Sequence, residues 1–445
     1  MAVIAGHDQR VERAARALRP LLRAMGEDRT FDIRFWDGRT LRAPGGNPSF
    51  TLALRRPGAL RRMLLPPTDL AIGEAYVHGD FDVEGDLYAF VSLSERLSDL
   101  HLSPADLARS ALLLSSLTDT DADAPPDGRG AARLQGELHS AERDAQAVRY
   151  HYDVGNEFYA LWLDRRMVYS CARFMTPEMS LDDAQLAKLD LVLDKLQLAD
   201  GMRLLDIGCG WGGLVIRACE RWPGITAIGV TLSERQHELA NQRIVEAGLA
   251  GRCRIELLDY RSVPETFGRF DRIASVGMAE HVGRERIAAY FAAAAASLEP
   301  GGLFLNHAIT RQPTRATAPG AIVGGPLRRL LPARSFIDAY VFPDGDLLTL
   351  AEMLTAAQGA GFEVRHVESL RPHYARTLRH WVARLEAHWD EAVAAVGETT
   401  ARTWRLYMSG AAIGFERAHL DLHQELLALP SADGTSDAPP LPNWS

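Results

Sequence analysis

Between residues 203 and 429 the chain switches repeatedly between short apolar runs and longer stretches with apolar positions at helical spacing. Strands are expected near 203–207, 225–231, 253–258, 270–276, 302–308 and 363–370, and helical spacing fills the gaps, most plainly over 233–247 and 284–298. Runs that are apolar at successive positions suit strands buried on both faces. Strands alternating with helices predict a largely parallel, doubly wound sheet. A long helical pattern over 399–415 followed by the alternating segment His419–Leu429 predicts a last strand. Residues 1 to about 115 read differently. An arginine-rich amphipathic helix (Val11–Met25) precedes Trp36-Asp-Gly-Arg39, where Asp-Gly predicts a tight hairpin, and helical segments follow over Pro57–Leu65 and Leu87–Leu97. The expected organisation is a smaller mixed α/β domain over 1–115, a linker over 116–138, a doubly wound, seven-stranded Rossmann-like α/β domain over 139–430, and a flexible polar tail over 431–445.

Bulk composition narrows the class. The 445-residue chain is 47% hydrophobic and 24% charged, ordinary for a globular protein with ample core. A net charge of −9 gives no global basic field, so no nucleic-acid partner is expected. Arg55, Arg56, Arg61 and Arg62 do cluster, as do Arg328, Arg329 and Arg334; a solvated face and a membrane-surface contact are both open readings. Cys171, Cys209, Cys219 and Cys253 show neither metal-ligand spacing nor a secreted disulfide framework, and no metal is expected. The charged, helical amino terminus does not read as a signal peptide, and the longest apolar run, Ile287–Leu298, is too short to span a bilayer. A cytoplasmic protein is expected, with any membrane contact peripheral.

Chemistry enters at Arg203-Leu-Leu-Asp-Ile-Gly-Cys-Gly-Trp-Gly-Gly213. An apolar strand runs into closely spaced glycines that open a helix, and glycine permits the sharp turn and close backbone approach a ligand needs. At a strand's carboxyl end in an open α/β sheet, this is where a nucleotide-like cofactor sits. Gly208, Gly210 and Gly213 also satisfy the dinucleotide fingerprint, which is weak alone. A dinucleotide site wants an acid on the ribose about 20 residues on, and Ala227-Ile-Gly-Val-Thr231 ends without one. Asp206, before the first glycine, suits a cationic ligand better than a pyrophosphate. The loop resembles that of class I S-adenosylmethionine (SAM) methyltransferases, with Asp206, Gly208, Gly210 and Gly212 as the cradle. Later strand ends line the same crevice: Thr231, Leu232 and Gln236 suit a ribose, Asp259 and Tyr260 an adenine. Asp259 is equally readable as a turn cap.

Six segments, the Gly208 loop among them, occur in one order: His151-Tyr-Asp-Val-Gly-Asn-Glu-Phe-Tyr159, Tyr169-Ser-Cys-Ala-Arg-Phe174, the Gly208 loop, Gly229-Val-Thr-Leu-Ser233, Glu280-His-Val-Gly283 and Phe336-Ile-Asp-Ala-Tyr-Val-Phe-Pro343. Together they resemble the cyclopropane-fatty-acyl-phospholipid synthase family, which includes the mycolic-acid cyclopropane synthases, over residues from about 140 to 429. The first 115 residues resemble, more loosely, the lipid-binding domain of bacterial members.

The resemblance implies transfer of SAM's methyl group to a cis double bond of a phospholipid acyl chain. The resulting cation loses a proton from the added methyl and the ring closes; a bound bicarbonate serves as base. It places Cys171, Glu280, His307, Ile309 and Tyr374 around that bicarbonate, Tyr169 and Ser170 at the SAM carboxylate, and His151 and Tyr159 over the cofactor. An alkene is a poor nucleophile, so such a site must be dry and hold its reactants at attack distance. Cys171, read alone, is a buried small hydrophobe. The sequence departs from the family's pattern before Tyr374, where an acid is usual, and at Thr310, where glycine is common. A SAM-dependent acyl C-methyltransferase giving a methyl- or methylene-branched chain shares the same cation and stays open as the alternative. Residues 311–335 are expected to form either a lid with Arg328 and Arg329 near lipid headgroups or a plain loop. Work at the inner face of a membrane, on unsaturated phospholipid and as a homodimer, completes the expectation.

Overall fold

The computed structural model describes residues 8–98, 102–119, 128–313 and 334–440. The expected lid with Arg328 and Arg329 lies outside the described residues. The chain divides into two units, one made from the described parts of Met1–Ala131, Ala318–Val341 and Val396–Ile413, the other from the remainder.

The first unit carries a four-stranded sheet of Phe31–Arg34 (β1), Thr40–Leu41 (β2), Phe50–Leu54 (β3) and Phe81–Gly85 (β4), in the order β2-β1-β3-β4. The Asp-Gly hairpin forms as expected: β1 and β2 are antiparallel, and the Phe35 N–H donates to the Arg39 carbonyl at 2.8 Å. Two segments distant in sequence also build this unit. Phe336 lies so close to Gly73 that a Cβ there would sit 2.2 Å from the ring, and the Phe336 N–H donates to Asp69 at 2.9 Å. Arg402, nearly buried, pairs with Asp82 on β4 at 3.0 Å. Of the arginine cluster at 55–62, Arg55 pairs with Asp82, Arg56 with Asp80, and Arg62 with Asp80 and Asp119. Those arginines serve the fold.

The second unit is the doubly wound α/β body. Strands Arg203–Ile207 (β5), Thr226–Thr231 (β6), Cys253–Leu257 (β7), Phe270–Val276 (β8), Leu298–Arg311 (β9), Glu363–Ser369 (β10) and Leu420–Ala428 (β11) form one sheet in the order β10-β11-β9-β8-β5-β6-β7. Only β11 runs antiparallel to its neighbours β9 and β10; the remaining pairs are parallel. Successive residues feed opposite cores: Leu204, Ala227, Leu303 and Leu426 face one, Leu205, Ile228, Phe304 and Leu427 the other. That explains why central strands such as Thr226–Thr231 are apolar at successive positions, whereas the edge strand β7 alternates between buried and exposed residues. The helix expected over 284–298 spans Ile287–Ala296, and Leu298 instead pairs with Phe270 at the start of β9. Residues 431–440 are not a loose tail. The Asp437 N–H donates to the Gly301 carbonyl at 2.9 Å, and its carboxylate receives the nearly buried Arg272 at 2.9 Å.

Candidate functional site

β5 ends on Asp206 and Ile207, and the chain then takes positive φ at Gly208, Gly210 and Gly212 (77°, 54° and 78°) before the helix Gly213–Arg221 begins. Other residues would be strained there, so the spacing of the glycines is a backbone requirement. The Gly208 and Cys209 N–H groups both donate to the Val230 carbonyl of β6, which ties the loop to its neighbour strand. Gly229 is needed for the same approach, since a Cβ there would lie 2.6 Å from both Cys209 and Ile255.

Beside this loop opens a cleft with about 980 Å³ of empty space, part of it open to solvent. Of the expected cofactor residues, Tyr169, Ser170, Asp206, Gly208, Gly210, Thr231, Leu232, Gln236 and Tyr260 line it. Four others do not. Gly212 caps the helix start and packs towards Ala240 and Ile216. Asp259 takes the cap role: it accepts the Arg261 N–H at 2.9 Å and grips the same guanidinium at 2.6 Å. His151 and Tyr159 stand one layer back. His151 Nε2 and the Tyr169 hydroxyl are hydrogen-bonded at 3.2 Å, and the Tyr159 hydroxyl donates to the His151 carbonyl at 2.8 Å. They hold Tyr169 and do not line the cleft. Thr231 donates to Gln236 at 2.8 Å, fixing both.

The cleft also gains residues that motif reading missed, among them Lys188, Trp211, Met278 and His281. Lys188 is fully buried and donates to Ser170 Oγ at 2.8 Å. Burial pushes its ammonium down to about 8, against the opposing pull of Cys171, Asp164 and Asp206. A signal existed: on the helix Leu181–Lys195, Gln185, Lys188 and Lys195 sit at buried positions among Leu181, Ala184, Leu189 and Val192. Polar groups on a core-facing stripe need partners, and here the partners belong to the site.

Asp206 has a carboxyl oxygen buried without a partner, and burial raises it to about 7 against the nearby Lys188 charge.

The expected chemical pocket arrives in two clusters. Glu280, in the turn after β8, accepts the Ile309 N–H of β9 through Oε1 at 2.6 Å. Although the residue is partly exposed, its Oε2 is sealed without a partner, and burial raises the carboxyl to about 7. His307, two residues before Ile309, is buried with Nδ1 3.1 Å from the Gln424 amide nitrogen and Nε2 without a partner. Cys171 and Tyr374 form the second cluster through Leu370, whose carbonyl lies 3.7 Å from Cys171 Sγ and accepts the Tyr374 N–H at 3.1 Å. Burial raises the Cys171 thiol, which keeps it neutral and unreactive. The Lys188 charge favours the ionised form of Asp206 and of Cys171 and the neutral form of His307, in each case less strongly than burial acts.

A family model described as mycolic acid cyclopropane synthetase matches residues 139–425, which contain the cleft and both clusters. The chain belongs to that family. A second model, a domain of unknown function, matches residues 18–104. The chain is 39% identical to a probable fatty acid methyltransferase of Pseudomonas putida, covering 92% of this chain and 94% of the relative. It is 37% identical to cyclopropane mycolic acid synthase 1 of Mycobacterium tuberculosis over 62% of this chain and 94% of that protein. A crystal structure of a mycolic acid cyclopropane synthase complexed with SAH and CTAB superposes with a TM-score of 0.57 at 35% identity, covering 64% of this chain and 98% of the other. The protein is a SAM-dependent methyltransferase of the cyclopropane synthase family. Its cleft fits that cofactor: a Cβ on Gly210 or Gly277 would meet nothing within 4 Å of protein, and the unpartnered Asp206 oxygen offers an acceptor for a cationic amine.

Proposed function

We propose that the enzyme transfers a methylene from SAM to a cis double bond of an unsaturated phospholipid acyl chain, closing a cyclopropane ring. The observation that carries the reading is the pair of buried, unpartnered atoms Glu280 Oε2, in the turn after β8, and His307 Nε2, on β9 level with Val276 at the end of β8. Buried polar atoms are rarely left without partners unless a ligand supplies them. The residues fit an anion there: a Glu280 carboxyl raised to about 7 holds its proton over part of the neutral range and donates, and a neutral His307 donates from one nitrogen. A bicarbonate bound between them would supply the base that the buried protein groups do not. SAM, when bound, supplies a methyl group on an electrophilic sulfonium. The protein's own contribution would be to keep water from the cation, and the second cluster suits that role because Cys171, Tyr374, Leu370 and Trp381 are buried and close-packed.

One observation favours the alternative, a fatty-acyl C-methyltransferase giving a methyl- or methylene-branched chain. The relative aligned over 92% of this chain is called a probable fatty acid methyltransferase, whereas the cyclopropane synthase aligns over 62%. Both readings share the methylated cation and differ in which proton leaves. Mass spectrometry of lipids from an expressing host with cis-unsaturated chains separates them. A gain of one methylene with the double bond consumed and a ring present supports cyclopropanation. The same gain with the double bond retained supports branching.

We further propose that the enzyme works peripherally, as a homodimer, at the inner face of a membrane. Support comes from the first unit, where Leu107 and Leu112 (50% and 74% exposed) project from the helix Pro104–Ser115. That helix is tied to the helix Gln9–Met25 by Ser110 donating to the Ala17 carbonyl at 2.8 Å, and Arg13, Arg16, Arg19 and Arg23 are exposed alongside. Apolar side chains rimmed by arginines suit an anionic lipid surface. Among the described residues no helix is long and apolar enough to cross a membrane.

A further inference from the structure

His307 belongs to a polar row laid across an otherwise apolar sheet face. Register pairs Glu368 of β10 with Gln424 of β11, and Gln424 with His307 of β9. Around them lie Leu303, Leu305, Leu426 and Ala428. Lys195, from the last turn of the helix Leu181–Lys195, reaches into this row with its side chain fully buried. Its Nζ donates to Gln424 Oε1 at 2.8 Å and pairs with Glu368, a residue one-third exposed.

The order of donors and acceptors along the row follows from Lys195. An ammonium has three donors and no acceptor, so the Gln424 amide must turn its oxygen towards it. Turning the NH2 there instead would set donor against donor in a buried site and leave the amide oxygen facing His307. The Gln424 NH2 therefore points at His307 Nδ1, 3.1 Å away. Nδ1 must accept. In a neutral imidazole the single proton then resides on Nε2, the nitrogen that has no protein partner.

We propose that Lys195 and Gln424 are positioning residues that lock His307 in the Nε2–H tautomer, so that the ring offers the pocket a hydrogen-bond donor and not a base. The inference rests on the reading in which His307 faces the bound anion. It also explains why that chemistry needs a base from outside the protein. Burial and the Lys188 and Lys195 charges reinforce it by keeping the ring neutral.

Nitrogen-15 spectra of the histidine-labelled full-length enzyme, with His307→Gln to assign the signal, read the tautomer directly. The wild type should show an unprotonated Nδ1 and a protonated Nε2. In Gln424→Glu the carboxylate still pairs with Lys195 but accepts from the ring, so the proton should move to Nδ1. Turnover should fall by about 100-fold, the scale for losing one donor to a reacting charge, while SAM affinity is unchanged. Lys195→Met, which frees the amide to flip, should give a mixed signal, and Lys195→Arg should restore the wild-type pattern. Melting temperatures of each variant exclude simple unfolding. A wild-type spectrum with Nδ1 protonated, or a Gln424→Glu spectrum identical to wild type, overturns the proposal. A shifted tautomer with full turnover leaves the tautomer assignment standing and removes His307 from the proposed chemistry.

Discussion

Replacing Glu280 with glutamine should make the protein more stable and nearly inactive at once. The amide oxygen can still accept the Ile309 N–H that Oε1 receives at 2.6 Å, and the amide nitrogen takes the place of the sealed Oε2. What is lost is a carboxyl whose ionised form is disfavoured by burial. A rise from the ordinary 4.5 to about 7 amounts to about 3 kcal/mol against the charged form, at about 1.36 kcal/mol per pH unit. Because the folded value lies above the unfolded one, the carboxyl's contribution is intact below about pH 4.5 and is lost as pH rises to and through about 7. Glu280→Gln should therefore match the parent protein near pH 4.5 and exceed it by about 2–3 kcal/mol near pH 8.5. Urea unfolding at the two pH values reads this difference, with turnover and SAM titration alongside. A stability gain that does not grow with pH would refute the burial argument. Loss of SAM affinity would place Glu280 against the cofactor and not in the chemical pocket.

Other substitutions test neighbouring links. Glu425, fully buried and bonded to Asn306 at 2.9 Å, is raised to about 8 by burial and by Glu280. Glu425→Gln should leave the melting temperature unchanged below about pH 4 and raise it increasingly as pH climbs from about 4.5 to about 8, the sign expected when a folded-state value is raised. Gly229→Ala forces a Cβ into Cys209 and Ile255 and should cost about 1–3 kcal/mol by overpacking. Gly210→Ala meets no protein atom, costs about 1–2 kcal/mol of left-handed strain, and should chiefly abolish SAM binding. Normal SAM affinity in Gly210→Ala would mean the cleft is not the cofactor's. Changing Leu107 and Leu112 together to glutamate should weaken binding to anionic liposomes without altering the melting temperature; unchanged binding would rule out that face.

Much of the fold was legible because its rules are local. Strands at the middle of the doubly wound sheet announce themselves by apolar residues at successive positions, as in Thr226–Thr231, since a strand covered on both faces needs no polar side. The glycine loop is equally plain, because positive φ at Gly208, Gly210 and Gly212 is a demand on single residues. Of the candidates placed on strand ends by topology, Thr231, Leu232 and Tyr260 line the cleft and Asp259 does not. Where the structure departs from the expectation, contacts made elsewhere in the chain mostly decide it. Residues 431–440 bind Gly301 and Arg272, Leu298 leaves the expected helix to pair with Phe270, and His151 and Tyr159 stand a layer behind Tyr169. Asp259, by contrast, is held by its near neighbour Arg261.

By itself, then, the sequence determined the sheet architecture and the cofactor class, and supplied candidate groups for the chemistry. Tertiary structure decided how those groups are protonated and which of them touch the cleft. The physical reason is that burial and register are joint properties of distant segments. Lys188 and Lys195 look like ordinary helix lysines until the sheet closes over them. Only then does the charge of one act on Asp206, Cys171 and His307, and the other, through Gln424, settle where the proton of His307 resides.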